Sequence, residues 1–125
     1  MDLVGRQAEL RFRVTDDDTA NAVGSGDLPV LGTPRLLAWL EAATCAAVDD
    51  ALPQGHTTVG TRVDVEHRAA SSIGAQVQVR AVVTQVVGRA VTFAVTAGQG
   101  GGEVVAQGTI GRVVVDRERF LARLT

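Results

Sequence analysis

The stretch from Pro34 to about Ala51 (PRLLAWLEAATCAAVDDA) constrains this chain more than any other. It is rich in Ala and Leu, both strong helix formers. Thr33 is a good N-cap and Pro34 suits the first helical position, so the helix opens there. Leu52-Pro53-Gln54-Gly55 closes it. The interior is apolar almost all the way round, the pattern of a helix buried in the middle of something. A chain of 125 residues has room for one core of that kind and not for a second.

The remainder supplies what could surround it. Residues 8–15 alternate apolar and polar as a strand does. Residues 16–29 (DDDTANAVGSGDLP) are acidic and aperiodic, and read as a long loop, a frequent origin of lids. Beyond the helix, 57–69, 75–87, 89–97 and 103–115 all alternate, with Gly88 and the GQGGG tract at 98–102 as turns. A bulge is expected at Gly108 or Gly111. The end (DRERFLARL) suits a short helix. One α+β domain over 1–125 follows, its long central helix wrapped by a curved antiparallel sheet of about five strands.

Composition removes several functions. A net charge of −2 carries no electrostatic footprint for nucleic acid. A lone cysteine, Cys45, builds neither an intrachain disulfide nor a cysteine zinc site. The N-terminus has no basic stretch followed by an apolar run, and no window is long enough to span a bilayer. A cytoplasmic protein without a membrane partner, metal or separate cofactor is the expectation. Aromatics are only 3%, so Val, Leu and Ala must form the core.

Two ionisable residues stand out against this apolar pattern. Glu41 is the only charged residue between Arg35 and Asp49, in mid-helix. A carboxylate there is rolled toward solvent, paired with an arginine, or placed against a cleft. Alternation sets His67 on one face with Val59, Thr61, Val63 and Val65, and Gly60 on the other. His67 alone would read as a structural core histidine. With Glu41 on the element that must pack against it, the pair has the makings of general acid–base chemistry. Thr33 caps the helix, and a helix start can also hold a developing oxyanion. Eight residues of helix rise separate Thr33 from Glu41 by roughly 12 Å, so a second subunit or a bent helix start must bring them to one substrate.

Other candidates are bland. Cys45 reads as a buried structural thiol, Trp39 as core or dimer contact, His56 as an exposed loop residue, and Asp16-Asp17-Asp18 as a solvated loop. GQGGG lacks the Lys-Ser/Thr and helix of a phosphate loop.

The run Thr33-Pro-Arg-Leu-Leu-Ala-Trp-Leu-Glu41, followed by Val59-Gly60-Thr61 and Val63-Asp-Val-Glu-His67-Arg-Ala-Ala, resembles the hot-dog thioesterases related to fluoroacetyl-CoA thioesterase. The resemblance is concentrated between Gly32 and Gly74. It implies a hot-dog fold and acyl-CoA hydrolysis by a homodimer with active sites at the subunit interface, coenzyme A entering only as part of the substrate. Thr33, Glu41 and His67 would form the catalytic set. Glu41 would be nucleophile or activator of water, and His67 its acid–base partner. Thr33 would polarise the glutamate or the thioester, and Gly60 would offer a backbone donor to the substrate. The fluoroacetyl-specific member has phenylalanines in its lid, whereas GSGDLPVLGT has none, so the resemblance extends to thioester chemistry rather than to fluoroacetyl selectivity. Two rivals share the architecture: a non-catalytic hot-dog protein binding an acyl thioester or other small ligand, and an acyl-CoA dehydratase, whose Asp/His pattern fits the Thr/Glu/His spacing less well.

Overall fold

The computed structural model describes residues 1–125. Strand β1 (Gln7–Arg13) leads through a short helix α1 (Ala20–Val23) to the long helix α2 (Thr33–Val48). Strands β2 (His56–His67), β3 (Gln76–Val87), β4 (Ala90–Gln99) and β5 (Glu103–Asp116) follow, and α3 (Arg117–Ala122) ends the chain. The five strands form one antiparallel sheet in the order β1-β3-β4-β5-β2. β1 and β2, which flank the helix in sequence, are thus the two opposite edges.

Helix α2 buries Leu36, Trp39, Leu40, Ala43, Ala47 and Val48. They join one core cluster with the inward-facing Val77, Val79, Ala81 and Val83 of β3, and with Val91, Phe93 and Val95 of β4. The strict alternation of these strands produces that face. Trp39 stacks on Phe12 with ring centroids 4.7 Å apart and planes within 4°. At the far end of the helix, Arg6 Nε donates to the Ala47 carbonyl at 2.8 Å and its guanidinium pairs with Asp50. That cation offsets the two aspartates that the helix dipole disfavours.

The helix is not enclosed, as its all-round apolar pattern had implied. It lies over β1 and β3, and the sheet covers one side only. Pro34, Ala38 and Ala46 are exposed, and Ala42 and Cys45 half-exposed. Edge strand β2 is correspondingly bare: Val63 is 42% exposed although it sits opposite the fully buried Ile110.

Three local expectations change. The loop at 16–29 is partly ordered: Thr15 and Asp18 form a capping box over a turn at Asp16–Asp18. Thr19 then caps α1 by accepting from Ala22 N at 3.1 Å, and Gly24 ends that helix at a left-handed φ of 79°. His56 opens β2, half-buried, instead of lying in a loop. On β5 the extra residue is Val105, between the pairs Ala97↔Ala106 and Gly98↔Val104, and not Gly108 or Gly111; a second bulge lies across from Gly111, at Thr61 of β2, between the pairs Gly60↔Arg112 and Arg62↔Gly111. Gly108 serves close approach instead, since a Cβ there would lie 2.1 Å from the Asp64 carbonyl oxygen. The extra residue at Thr61 resets the alternation. Gly60 therefore shares the inward face with Val63, Val65 and His67, opposite Arg112, Ile110, Gly108 and Ala106, while Val59 pairs with Val113 on the other face.

Candidate active site

Thr33 is the first residue of α2 and not its cap. Gly32 holds the cap position at φ −75°, ψ 139°. Glycine is required there because a Cβ would sit 2.8 Å from Val23 Cγ2 and 3.0 Å from Ala20 Cα, where α1 packs on the helix start. Released from capping, the Thr33 hydroxyl shares a 2.7 Å hydrogen bond with His67 Nδ1. The other ring nitrogen of His67, Nε2, is buried without a partner. Burial lowers the pKa of His67 from its ordinary value near 6.5, the neighbouring Ala69 backbone pulling more weakly the other way. A neutral imidazole held at one nitrogen, with the other free, is equipped to move a proton. The pair opens on a cavity of about 270 Å³ whose walls include Ala20, Val30, Leu31 and Ala70. The region before the helix thus forms a wall over the pocket. Arg35 ties it to α2 through an ion pair with Asp18 at 3.2 Å.

Glu41 lies elsewhere. Its Oε2 accepts from Arg112 Nη1 at 3.0 Å. The guanidinium is fixed in turn, donating from Nε to Thr58 Oγ1 at 2.8 Å and from Nη2 to the Thr58 carbonyl at 3.1 Å. The arginine side chain is buried, at 8% exposure, while that of Glu41 is 38% exposed, so the carboxylate is held from behind and open in front. Gly60 makes room for it: a Cβ there would lie 2.6 Å from Oε2. Glu41 is thus both paired with an arginine and placed against an opening, two of the possibilities its position in the sequence left open.

Arg112 went unnoticed in the sequence, although a signal was present. It keeps phase with Ile110 and Val114 on the apolar face of β5, where an arginine needs an anionic partner.

The sequence-derived residues therefore fall into two groups. Thr33 and His67 meet, and Glu41 and Gly60 meet. Roughly 12 Å of helix separates Thr33 from Glu41, and about 20 Å of strand separates Gly60 from His67. Both groups face the same uncovered side. No group of three or more His, Cys, Asp or Glu side chains is assembled that could hold a metal ion.

Comparison with known proteins gives this arrangement its context. A family model described as fluoroacetyl-CoA-specific thioesterase (FlK) matches residues 14–118, well beyond the segment that carried the resemblance in sequence. The structure of the fluoroacetyl-CoA thioesterase FlK superposes with a TM-score of 0.89 at 28% identity, covering 97% of this chain and 93% of that one. A point variant of that enzyme in complex with fluoroacetate and CoA gives 0.86 at 28% identity over 94% of this chain and 98% of that one. A hot-dog-like protein from Thermanaerovibrio acidaminovorans gives 0.89 at 26% identity, covering 99% and 95%. No curated protein matches the sequence. With a family match over most of its length and a hot-dog fold shared with these structures, the chain belongs to the fluoroacetyl-CoA-specific thioesterase family and is a thioester hydrolase.

Proposed function

We propose that the chain hydrolyses a small or medium acyl-CoA as a homodimer, each active site combining Thr33 and His67 of one protomer with Glu41 of the partner subunit. The observation that carries this reading is the Thr33–His67 hydrogen bond at the start of a helix whose glutamate lies beyond its reach. Three features support a second copy as the missing half. β2 is a 12-residue edge strand, a template for pairing that a monomer leaves bare. The open side of α2 carries Ala38, Ala42, Cys45 and Ala46, small enough for close packing. A two-fold axis near Val63 and Asp64 sets His67 of one β2 opposite Gly60 of the other in an antiparallel pair, and brings Glu41 with it.

In that assembly the thioester carbonyl sits between the groups. Its oxygen accepts from the Thr33 hydroxyl or from the Gly60 backbone N–H, which favours the negative charge that develops there. Glu41 either takes a proton from water, whose oxygen then attacks, or attacks the carbonyl carbon itself. In the first route the C–O bond to water forms, the C–S bond breaks, and the proton that Glu41 takes reaches the departing sulfur by way of neutral His67; in the second the sulfur leaves as a thiolate from a mixed anhydride with Glu41, and the water that cleaves the anhydride gives its proton to His67, which passes it to the thiolate. Arg112 has a positioning role, setting the rotamer of Glu41.

Release of free thiol from acetyl-, butyryl-, isovaleryl- and phenylacetyl-CoA tests the reaction, and sedimentation at micromolar concentration tests the assembly. Thiol release and about twice the chain mass are expected. A monomer with full activity overturns the shared site. Single-turnover hydrolysis in oxygen-18 water reveals a nucleophilic Glu41 whose mixed anhydride is cleaved at the glutamyl carbon, because the first product molecule then carries the unlabelled oxygen of Glu41 and the label enters the protein; trapping the anhydride with hydroxylamine reveals it whichever carbon water attacks.

A further inference from the structure

The pocket of Thr33 and His67 carries one full charge, and that charge has no partner. Its lining includes Arg68 and neither an aspartate nor a glutamate. The ion pairs of the chain engage Arg6, Arg11, Arg35 and Arg112 and leave Arg68 out. On the reading that this pocket receives the acyl group of a CoA thioester, we infer that the preferred acyl group ends in a carboxylate, which Arg68 binds. The substrate class is then the CoA half-thioester of a short dicarboxylic acid.

Strand alternation alone would point Arg68 away from His67. The backbone departs from alternation at this point. The β2–β5 ladder ends at the pair His67↔Ala106. Beyond it, the N–H groups of Arg68 and Ala69 both donate to the Val105 carbonyl, at 2.7 and 3.2 Å. Val105 is the extra residue of the β5 bulge, passed over between the pairs Ala97↔Ala106 and Gly98↔Val104. Two successive N–H groups converging on one acceptor break the two-residue period. Consecutive residues 67–70 therefore line a single pocket. The Leu31 N–H donates to the Ser71 carbonyl at 2.9 Å and fastens this turn to the wall.

The placement of these groups selects the ligand. Thr33 and His67 mark the reacting carbonyl. Arg68 follows His67 by one residue, about 3.8 Å at Cα, and its long stem carries the guanidinium past that carbonyl to the far end of an acyl chain. Val30 and Leu31 cover the methylenes between, and Ser25 brings a hydroxyl donor from the wall. A guanidinium matches a carboxylate through two parallel hydrogen bonds. The cavity of about 270 Å³ is smaller than pockets that take drug-sized ligands, which keeps the acid short. The phosphates of CoA are the other anions a substrate brings, but every acyl-CoA carries them, so they predict no preference among acyl groups.

Glutaryl-CoA and valeryl-CoA have acyl chains of equal carbon count and differ in the terminal carboxylate. In the native protein kcat/KM should favour glutaryl-CoA about tenfold. Arg68→Gln should abolish that preference, and Arg68→Lys should keep part of it, since an ammonium retains charge without the fork. Arg89→Gln, at the β3–β4 turn, should keep the native preference and controls for net charge. Both arginines are exposed, so folding is little at risk. A native protein without the preference overturns the inference while leaving the thioesterase reading intact. So does an Arg68→Gln variant that loses equally on both substrates, which would put Arg68 on the phosphates or on Glu41 of the partner subunit. Titration calorimetry with uncleavable thioethers of CoA, one carrying a carboxybutyl and one a pentyl group, makes the comparison without turnover. Tighter binding of the carboxylated thioether, cancelled by Arg68→Gln, in a protein that hydrolyses neither thioester supports the pocket assignment and refutes the thioesterase reading. Equal binding of the two thioethers refutes the pocket assignment whatever the protein hydrolyses.

Discussion

The two ends of strand β2 solve opposite problems. At its C-terminal end, His67 is half-buried and neutral-leaning, joined to Thr33 by one hydrogen bond and left with a free nitrogen. At the other end, beside Gly60, a full charge is held: Glu41 is gripped by a buried arginine that is itself anchored to Thr58. One end is prepared to move a proton and the other to present a fixed carboxylate. The proposed thioester hydrolysis uses both, and the bulge at Thr61 turns both toward the same side while the strand keeps them about 20 Å apart. On the proposed reading each chain supplies the two halves of a site that a second copy joins.

The sharpest way to break this comparison is to disable one end at a time. Glu41→Gln and His67→Ala should each lower turnover at least about 10²-fold. Mixing the two inactive proteins under conditions of subunit exchange should restore roughly a quarter of native activity, because half the dimers are mixed and each mixed dimer rebuilds one intact site. A mixture as inactive as its components shows that each site is confined to one chain.

Arg112 tests whether the carboxylate end depends on its anchor. Arg112→Met removes three hydrogen bonds and leaves Glu41 unpaired. A loss of about 2–3 kcal/mol in stability by urea denaturation is expected, together with reduced turnover. Arg112→Lys should recover charge but not the fork that reaches both Thr58 and Glu41. Full activity in the Met variant would mean that Glu41 needs no positioning.

At the proton-moving end, Thr33→Ala removes one hydrogen bond, and turnover should fall about 3–10-fold, with Thr33→Ser close to native. The effect of pH is gentler. Burial lowers the pKa of His67, so the unfolded chain takes up this proton near pH 6.5 while the folded chain still resists it. The stability tied to the neutral ring is complete above about pH 6.5 and is lost as pH falls through the folded value. Thermal denaturation at pH 7 and pH 5 should therefore show a smaller acid loss in His67→Gln than in the native chain. The acid limb of turnover should lie below pH 6.5. A limb above that value contradicts the buried, neutral state.

Much of this was legible in the sequence because the relevant patterns are short. The apolar run of α2, its lone Glu41, and the alternation that turns His67 inward need only local periodicity. Gly60 was assigned to the wrong face because a bulge is a property of two strands in register: the extra residue at Thr61 exists only relative to β5. Thr33 was read as a cap because its residue type suits one. What displaces it is the close packing of α1 on Gly32, a contact set by tertiary structure. The apolar circumference of α2 predicted neighbours on every side, and a single sheet supplies them on one. That mismatch is what the proposed second copy would resolve.

The smallest expected effect concerns the acyl group, where the wall over the proton-moving end meets the substrate. It comes from residues 16–31 and lines the pocket with Ala20, Val30 and Leu31, with no aromatic ring in the whole segment. An aromatic lid can close tightly over a very small acyl group and shut out water, whereas small aliphatic residues leave room and move easily. A pocket of that kind discriminates by only about 1–3 kcal/mol for each methylene. Fluoroacetyl- and acetyl-CoA differ by less than a methylene in size, so their kcat/KM values should agree within about tenfold. Butyryl- or isovaleryl-CoA should be hydrolysed better than either, since a longer aliphatic chain buries more apolar area against Val30 and Leu31. Measuring kcat/KM across these four substrates decides the matter. A preference of several orders of magnitude for fluoroacetyl-CoA would mean that selectivity is set at the charged end of β2, by Glu41 and Arg112, and not by the wall over His67.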